Sequence, residues 1–331
     1  MQTFLEKYYN SDDTILLGCS AGPDSMYILY QILETSFAKN LVVGYFNHKT
    51  RPETDDEEAF LENLAKQKGF AFESAECDFE KIQALYPSKS FEELAREKRY
   101  QFFDALMNIY HTKYVITAHH LDDKIETFFF HMLRGSKLSG LTNMKECHGG
   151  ILRPLLHTEK KEILSYLDTH NLEYKIDETN HHNIHTRNKI RNTILPKCEE
   201  VKPEYRKNMQ NLMGYFENMQ AYIDGEVERF LNLTPQPSQE QPSPPTPLPL
   251  GEGSSKRKQY FEIPDFKGLS GFLQKEVIRY IYYVSNNHST IGLSESNIAE
   301  VLKFIDGKNN KTIKEIRQLK LKKDGNKIYW R

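Results

Sequence analysis

The chain has 331 residues, a net charge of −2, and a composition that is 38% hydrophobic and 27% charged. These values are those of an ordinary globular protein that is long enough for two domains. No apolar run approaches the roughly 18 residues of a membrane span, and the opening MQTFLEKYYN lacks the regions of a signal peptide. We therefore expect a cytoplasmic protein with no membrane partner.

Strand and helix patterns alternate along the first 200 residues. The strand candidates read TILLGCS, LVVGYFN, FAFESAEC and YVITAHH. The helix candidates cover residues 25–35, 55–68, 90–110, 122–134 and 158–170. This alternation predicts an α/β fold in which helices flank a parallel sheet. Ligands of such sheets bind at the carboxyl ends of the strands, where SAGPDS, NHKTR and AHHLDD fall.

The remaining chain has a different organisation. A helical stretch runs from Pro203 to about Leu231, and residues 233–258 are so rich in Pro, Ser, Gln and Gly that we expect a disordered insertion. Two helices follow, the second with Ser294 as its N-cap. Asp306 to Arg331 holds nine Lys and Arg against three Asp and Glu. This excess suits a phosphate backbone, or equally the solvated surface of a small sheet or hairpin.

The four cysteines are scattered without a CxxC spacing, so neither a disulfide framework nor a metal cluster is indicated. Three histidines, His181, His182 and His185, lie close together in NHHNIH. Because no cysteine lies near them, a polar loop is a better interpretation than a zinc site.

The turn SAGPDS, Ser20 to Ser25, joins a predicted strand to a predicted helix. Backbone N–H groups and the positive end of the helix favour an anion there, and the two serines add hydroxyls. No Lys follows, so the turn is not the P-loop of ATPases. Asp24 would repel a phosphate unless a cation such as Mg²⁺ lies between them.

SAGPDS resembles the S-G-G-x-D-S loop of the PP-loop ATP pyrophosphatases, which cleave ATP between its α and β phosphates. Further segments resemble, in order, blocks of the tRNA(Ile)-lysidine synthase family in its short form. They are FEELAREKRYQFF (Phe91–Phe103), TAHHLDDKIETFFFHMLRGSKLSGL (Thr117–Leu141), ILRPLL (Ile151–Leu156) and DETNHHNIHTRNKIRNTILP (Asp177–Pro196). The resemblance covers roughly the first 200 residues.

The residues of these blocks allow functional and structural interpretations side by side. Glu92, Arg96 and Arg99 share one helix face, which is also the spacing of a salt-bridge ladder. Asp123 and Glu126 share a face just past a strand end and could hold Mg²⁺ or orient an amine, whereas Asp122 is expected to cap the helix. Arg187 and Arg191, four residues apart, suit RNA phosphates or simple solvation.

The resemblance implies a ligase that forms a carbon–nitrogen bond. The C2 oxygen of the wobble cytidine of tRNA(Ile) with a CAU anticodon attacks the α-phosphate of ATP, and free lysine then displaces AMP. Its cofactors would be ATP and Mg²⁺, and the oligomeric state is open, with a homodimer as one alternative. Residues 1–200 would be the PP-loop catalytic domain, 201–232 a helical connector, and 259–331 a small helical, basic-tailed region that contacts tRNA.

The resemblance also assigns site residues. The predicted catalytic residues are Asp24, Asp123 and Glu126, with Asp24 and Asp123 as the Mg²⁺ ligands, and the predicted tRNA-binding residues are Arg134, Arg187 and Arg191. The predicted ATP-binding residues are Ser20, Ala21, Gly22, Pro23, Asp24, Ser25, His48, Arg96, Arg99 and His119.

Three features depart from the family pattern. Ala21 replaces a glycine, and we expect a negative φ there or a small local strain, since a positive φ costs about 1 kcal/mol. Asn47 replaces an Asp, so this strand end loses a charge, while His48 and Arg51 remain. Longer members carry a further C-terminal domain that grips the tRNA acceptor region, and KIYWR stops short of it.

Two alternatives remain open. A related PP-loop enzyme such as a cytidine thiolase would share the loop, although sulfur transfer usually needs paired cysteines. A non-catalytic ATP- or RNA-binding relic would explain Ala21 and Asn47. Retention of Asp24, Ser25, Asp123 and Glu126 together argues against such decay.

Overall fold

The computed structural model describes residues 1–49, 53–77, 82–83, 86, 89–142, 144–175, 186–231, 259–286, 292–309 and 312–331, with Glu92 described by its backbone alone. The predicted insertion at 233–258, the histidines of NHHNIH and Arg51 lie outside these residues. The chain divides into two compact units, Met1–Phe216 and Glu217–Arg331. The division predicted from sequence, with its connector at 201–232, stays a prediction. No helix of the described residues is long and apolar enough to cross a membrane.

The first unit is built on a six-stranded sheet, as the α/β pattern predicts. The strands follow the order β3-β2-β1-β4-β6-β5, and all neighbours pair in parallel except β5 with β6. Their bounds are β1 (Ile15–Gly18), β2 (Leu41–Asn47), β3 (Ala71–Glu76), β4 (Val115–Ile116), β5 (Cys147–His148) and β6 (Ile151–Leu152).

The helices of this unit are α1 (Gln2–Glu6), α2 (Pro23–Leu33), α3 (Glu53–Lys68), α4 (Phe91–Ile109), α5 (Leu121–Leu133), α6 (Leu138–Leu141), α7 (Lys160–Thr169), α8 (Thr186–Lys189) and α9 (Leu195–Val201). The five helices predicted for this region, which are α2, α3, α4, α5 and α7, begin and end within two residues of their predicted positions, whereas the four short helices α1, α6, α8 and α9 were not predicted. A 3₁₀ turn covers Ala38–Asn40, and a π-helical turn covers Ile190–Ile194. A long helix, α10 (Tyr205–Phe230), follows.

Alternate residues of β1 serve the two faces of the sheet. Ile15 and Leu17 join the core that also contains Ile28 of α2 and Ile163 of α7, whereas Leu16 packs on the other face with Phe103 of α4. Helix α4 comes unusually close to the sheet at Gly18. A Cβ atom there would lie only 2.6 Å from the Phe103 ring. The glycine therefore permits the packing that brings α4 beside the carboxyl end of β1.

The second unit contains helices, as predicted, and a four-stranded antiparallel sheet, which agrees with the small sheet or hairpin that was one of the two alternatives for the basic tail. The strand order is β7-β10-β9-β8. Its elements are β7 (Tyr260–Glu262), α11 (Ile263–Gly268), α12 (Gly271–Ser285), α13 (Glu295–Asp306), β8 (Thr312–Ile316), β9 (Leu319–Asp324) and β10 (Lys327–Trp330). The Ser294 side chain accepts a hydrogen bond from Asn297 N, so the predicted N-cap of α13 is confirmed.

The basic tail forms the last three strands of this sheet. Lys323 is buried, and its ammonium donates to the carbonyls of Ile305 and Gly307 at the end of α13. A cation at a helix C-terminus is stabilising there. Several other lysines pair with carboxylates, namely Lys314 with Glu300, Lys320 with Glu315 and Lys327 with Glu262. Much of the positive excess is therefore neutralised within the unit, and tRNA contact by this segment stays a prediction.

Candidate active site

The turn from β1 to α2 is held by its own serines. Ser25 is almost fully buried. Its hydroxyl accepts a hydrogen bond from Ser20 N at 3.1 Å and donates one to Gly22 O at 3.0 Å. Pro23 occupies the first turn of α2, where its fixed φ suits a helix and its missing N–H is not needed. Ser25 thus shapes the anion-binding turn.

Ala21 adopts a left-handed backbone conformation with φ of 58°. The expectation of a negative φ is therefore wrong, and the alternative of local strain applies, at about 1–2 kcal/mol. The methyl group is fully buried in the core, and the carbonyl accepts a hydrogen bond of 2.9 Å from Lys175 N. Burial and this bond help to stabilise a conformation that glycine would adopt freely.

Asp24 faces a cation supplied by the protein itself. The Lys160 ammonium lies 2.5 Å from Asp24 Oδ1, and His120 Nε2 lies 3.8 Å from the same oxygen. Sequence reasoning had placed Mg²⁺ at Asp24 and missed Lys160. The structure makes Lys160 the first residue of α7, where the helix dipole disfavours a positive charge, so it needs a carboxylate partner, but the sequence does not indicate which one.

Asp123 and Glu126 are joined by Arg191. Arg191 Nε donates to Glu126 Oε1 at 2.5 Å, and Arg191 Nη2 donates to Glu126 Oε2 at 2.9 Å and to Asp123 Oδ1 at 3.1 Å. Burial raises the pKa of Glu126, while the bonds from Arg191 oppose that rise. Burial alone would lower the pKa of Arg191, but its bond to Glu126 raises it, so the guanidinium stays charged. The pair is therefore bidentate and buried on its acidic side.

The capping role predicted for Asp122 belongs to Asp123. Asp123 Oδ2 accepts from His120 N at 3.0 Å at the start of α5. Asp122 instead accepts from Lys160 N at 2.9 Å and from Arg206 Nε at 2.7 Å. Burial would raise the pKa of Asp122, but these bonds outweigh it and lower the pKa. Asp122 thus fixes the start of α7 and, with it, the backbone of Lys160.

Two histidines near the strand ends are neutral at pH 7. Burial, with nearby arginines, lowers the pKa of His119 to about 4, and burial with Arg99 lowers that of His48 to about 4. The Thr117 hydroxyl and His119 Nδ1 lie 3.0 Å apart, which orients the imidazole. Neither histidine adds a positive charge to the site at neutral pH.

Arg96 and Arg99 lie on α4 beside this site. The Arg96 guanidinium lies 4.9 Å from the centre of the Tyr100 ring. Burial lowers the pKa of Arg99. Among the side chains that the structure describes, no carboxylate lies within ion-pair distance of either arginine. Positive charge without a carboxylate partner favours the approach of an anion.

The three predicted tRNA-binding arginines do not lie at one place in the structure. Arg134 and Arg187 both lie against the Phe130 ring, at 3.8 and 5.5 Å from its centre. Arg191 instead points to Glu126. The prediction that Arg187 and Arg191 share a face assumed an α-helix, but Ile190–Ile194 forms a π-helical turn with a different periodicity.

A cleft of about 1320 Å³ gathers most of the predicted site. It exceeds the volume of ordinary ligand pockets, which is roughly 300–1,000 Å³, and suits more than one substrate. Of the predicted residues it is lined by Ser20, Gly22, Pro23, Asp24, Ser25, His48, Arg99, His119, Asp123, Glu126 and Arg191. Lys160, Lys175, Arg206, His120 and Asp122 were not predicted as site residues and line it too. Ala21, Arg96, Arg134 and Arg187 are not among the lining residues.

Comparison with known proteins places the chain in a family. The PP-loop domain matches residues 1–198. The tRNA(Ile)-lysidine synthase of Chlorobaculum tepidum is 31% identical over 70% of this chain and 70% of its own length. The chain belongs to the tRNA(Ile)-lysidine synthase family of PP-loop proteins.

Other relatives in the family extend the match. The tRNA(Ile)-lysidine synthase of Borreliella afzelii is 27% identical over 99% of this chain and 71% of its own length. That of Bacillus cereus is 29% identical over 89% of this chain, which spans only 60% of the relative's length. In fold, the chain resembles the U34-tRNA thiolase NcsA from Methanococcus maripaludis with its [4Fe-4S] cluster. That structure matches with a TM-score of 0.51 and 13% identity over 63% of this chain and 73% of the other.

The cysteines do not resemble a sulfur-transfer site. Cys19 and Cys77 are buried, Cys147 and Cys198 lie on other elements, and all four are free thiols. Burial raises the pKa of Cys19 to about 11, so its thiol stays protonated and unreactive. Among the described residues, no group of three or more His, Cys, Asp and Glu could hold a metal ion. The cytidine thiolase alternative is therefore poorly supported.

Asn47 has a local explanation in the structure. It is fully buried, and its Nδ2 donates to Asp55 Oδ1 at 3.0 Å and to Glu58 Oε2 at 2.9 Å. Its Oδ1 accepts from Lys49 N at 2.8 Å. An aspartate could not donate to two carboxylates, so the amide is matched to its surroundings.

Proposed function

We propose that this protein ligates free lysine to C2 of the wobble cytidine of tRNA(Ile) with a CAU anticodon, at the expense of ATP. One observation carries the proposal. The anion-binding turn at Ser20–Ser25 and the acidic pair Asp123 and Glu126 line the same large cleft. A phosphate site and an amine site that share a cleft fit a reaction that uses both ATP and lysine.

The first step would use the turn and its neighbouring cations. The cytidine C2 oxygen attacks the α-phosphorus of ATP, a P–O bond forms, and the bond to the β-phosphate oxygen breaks to release pyrophosphate. The N–H groups of the turn and Arg99 would stabilise the negative charge of that leaving group. Neutral His119 can donate or accept a hydrogen bond without changing the charge balance.

The second step would use the acidic pair. The lysine ε-ammonium must lose a proton before its nitrogen can attack C2, whereupon the C2–O bond breaks and AMP leaves with the oxygen. Glu126 is suited to accept that proton, since burial raises its pKa. Asp123 would orient the amine beside it, and Arg191 would release one or both carboxylates to do so.

The donor set of the cleft also fits Mg²⁺. Asp24 Oδ1 lies 3.8 Å and Asp123 Oδ2 lies 3.4 Å from His120 Nε2, so both carboxylates border the same imidazole. Carboxylate oxygens with phosphate and water ligands are what Mg²⁺ prefers. Bound there, it would neutralise phosphate charge.

The stack of Arg134, Phe130 and Arg187 is proposed as an RNA contact. Two guanidiniums against one aromatic ring present charge to phosphates and flat surfaces to unpaired bases. Such a contact would position the anticodon loop.

One assay tests the proposal. The protein is incubated with ATP, Mg²⁺, radiolabelled lysine and a tRNA(Ile) transcript with a CAU anticodon, and both AMP release and label on the RNA are measured. We expect lysine on this RNA and none on a matched transcript with a GAU anticodon. AMP formation without lysine on RNA, or no turnover at all, would overturn the proposal.

A further inference from the structure

The ion pair between Lys160 and Asp24 lies at the anion-binding turn. We propose that Lys160 is a phosphate-binding residue, held by Asp24 in the free protein and transferred to the pyrophosphate part of ATP on binding. The inference rests on the proposed function, since it takes ATP to be the ligand of the turn. Lys160 would then supply part of the positive charge between Asp24 and the phosphate that the sequence analysis assigned to Mg²⁺ alone.

The surroundings of the other cations in the cleft single out Lys160. Arg191 is engaged by Glu126, and Arg206 is engaged by Asp122. The Lys175 ammonium lies over the Phe60 ring, 5.3 Å from its centre. Lys160 differs from these three and from Arg99, because among the described residues its carboxylate partner is Asp24, a residue of the anion-binding turn itself.

The electrostatics of the turn favour an exchange of partners. A phosphate that arrives at the turn meets the Asp24 carboxylate, and the two repel each other unless a cation lies between them. The Lys160 ammonium already contacts Asp24 Oδ1, and a third of its side chain is exposed. A small movement along its flexible stem would let it contact both groups.

The backbone of Lys160 is held by hydrogen bonds, whereas its ammonium lies at the end of a flexible side chain. Its N–H donates to the buried Asp122, which also accepts from Arg206. The first position of α7 is unfavourable for a cation, so a lysine there requires compensation from carboxylates. Asp24 provides it in the free protein, and the phosphates would provide it in the complex.

Titration calorimetry with ATP and with AMP tests the inference. Lys160→Met should weaken ATP binding about tenfold or more, because a charge-assisted hydrogen bond to phosphate is lost, and should leave AMP binding nearly unchanged. Lys160→Arg should restore part of the ATP affinity. Lys161→Met is the matched control, since the neighbouring Lys161 is 73% exposed and pairs with Glu159. It should bind ATP as the unmodified protein does.

A second measurement follows Mn²⁺ alone, detected by its paramagnetic resonance signal without nucleotide. Removal of Lys160 frees the Asp24 carboxylate, so Lys160→Met should bind Mn²⁺ with a several-fold lower Kd than the unmodified protein. Addition of Asp24→Asn should abolish that gain. The inference thus predicts opposite changes for ATP and for the metal, which unfolding of the variant could not produce.

The outcomes separate this inference from the proposed function. If the unmodified protein binds ATP but Lys160→Met binds it equally well, or loses ATP and AMP to the same extent, the inference alone is overturned. If the unmodified protein binds no ATP, both are overturned.

Discussion

Arg191 grips Glu126 with two hydrogen bonds, of 2.5 and 2.9 Å, although the two residues are 65 positions apart in the chain. Glu126 is 4% exposed, so the pair compensates a carboxylate that water cannot reach. The lysine side chain, like that of Arg191, ends in a positively charged group. Under the proposed function, Arg191 therefore occupies the acidic pair in the way that the lysine ε-ammonium would.

Glu126→Gln should block the second step more than the first. The amide cannot accept a proton from the lysine ammonium, so transfer of lysine should slow by about 10²–10⁴-fold. Pyrophosphate release in a single turnover should persist, and adenylated RNA should accumulate on gels. Glu97→Gln, a half-exposed carboxylate on α4, is the control. Equal loss of both steps would contradict the role of Glu126 as base.

The Arg134 and Arg187 stack predicts a salt-dependent RNA affinity. Arg134→Ala should weaken tRNA binding and lower the slope of log Kd against log salt by about 1, if the residue contacts one phosphate. Arg229→Ala, at an exposed position of α10 paired with Glu226, should leave both quantities unchanged. Filter binding at several salt concentrations makes the comparison, and an unchanged slope for Arg134→Ala would remove this surface from the RNA interface.

Asn47→Asp should destabilise the first unit at pH 7. The new carboxylate would face Asp55 and Glu58 and lose both hydrogen bonds, which should cost about 2–4 kcal/mol in the free energy of unfolding. Like charges and burial would raise the pKa of the new group, so the loss should shrink as the pH falls. Urea denaturation at pH 7 and pH 5 checks this, with Asn40→Asp as control because the Asn40 side chain donates to the Ser11 carbonyl rather than to a carboxylate. Equal effects of the two variants would contradict it.

Ala21→Gly should cost far less stability than an ordinary alanine-to-glycine change. At φ of 58° glycine relieves about 1–2 kcal/mol of strain, which offsets the lost methyl burial and the added freedom of the unfolded chain. Ala65→Gly, in the helical backbone of α3, lacks that relief and is the matched control. Urea denaturation of both should differ by about 1 kcal/mol or more. Equal losses would mean that Ala21 carries no strain.

The lowered pKa of His119 predicts that the free energy of unfolding falls in mild acid. Its ordinary pKa of 6.5 drops to about 4 in the folded protein, because burial disfavours the charged form. The stability that it contributes is full above pH 6.5 and is lost as the pH falls through about 4. His119→Asn should therefore flatten the decline between pH 7 and pH 4 by about 1–3 kcal/mol. Parallel curves for the two proteins, from urea denaturation across that range, would refute this.

Local patterns were sufficient to predict the first unit and the edge of the sheet that carries the site. Alternating apolar strands and helices gave the parallel sheet, and the carboxyl-end rule brought Asp24, His48 and His119 to one cleft. The partners of charged groups were not predictable in this way. Lys160 lies 136 residues from Asp24, and no pattern in the chain fixes such a distance.

The second sheet was one of two alternatives for the basic tail, and one local signal favoured it. Gly325 and Asn326 form the turn between β9 and β10, with Gly325 at φ of 60°, and a Gly-Asn pair is typical of two-residue hairpins. The lysine-rich strands beside this turn alternate charged and apolar residues. That pattern did not decide between a solvated sheet and a surface that binds a phosphate backbone. The thiolase and relic alternatives were harder to weigh from sequence, because burial of Cys19 and the bonding of Asn47 are visible only in the fold.

The π-helical turn at Ile190–Ile194 places a limit on chain length. If one residue were deleted between Arg187 and Leu195, the segment could continue as an α-helix, in which each residue turns by roughly 100°. Arg191 would then rotate away from Glu126 and leave a buried carboxylate without its guanidinium. The contact between Arg191 and Glu126 therefore depends on the number of residues in this segment as much as on the arginine itself.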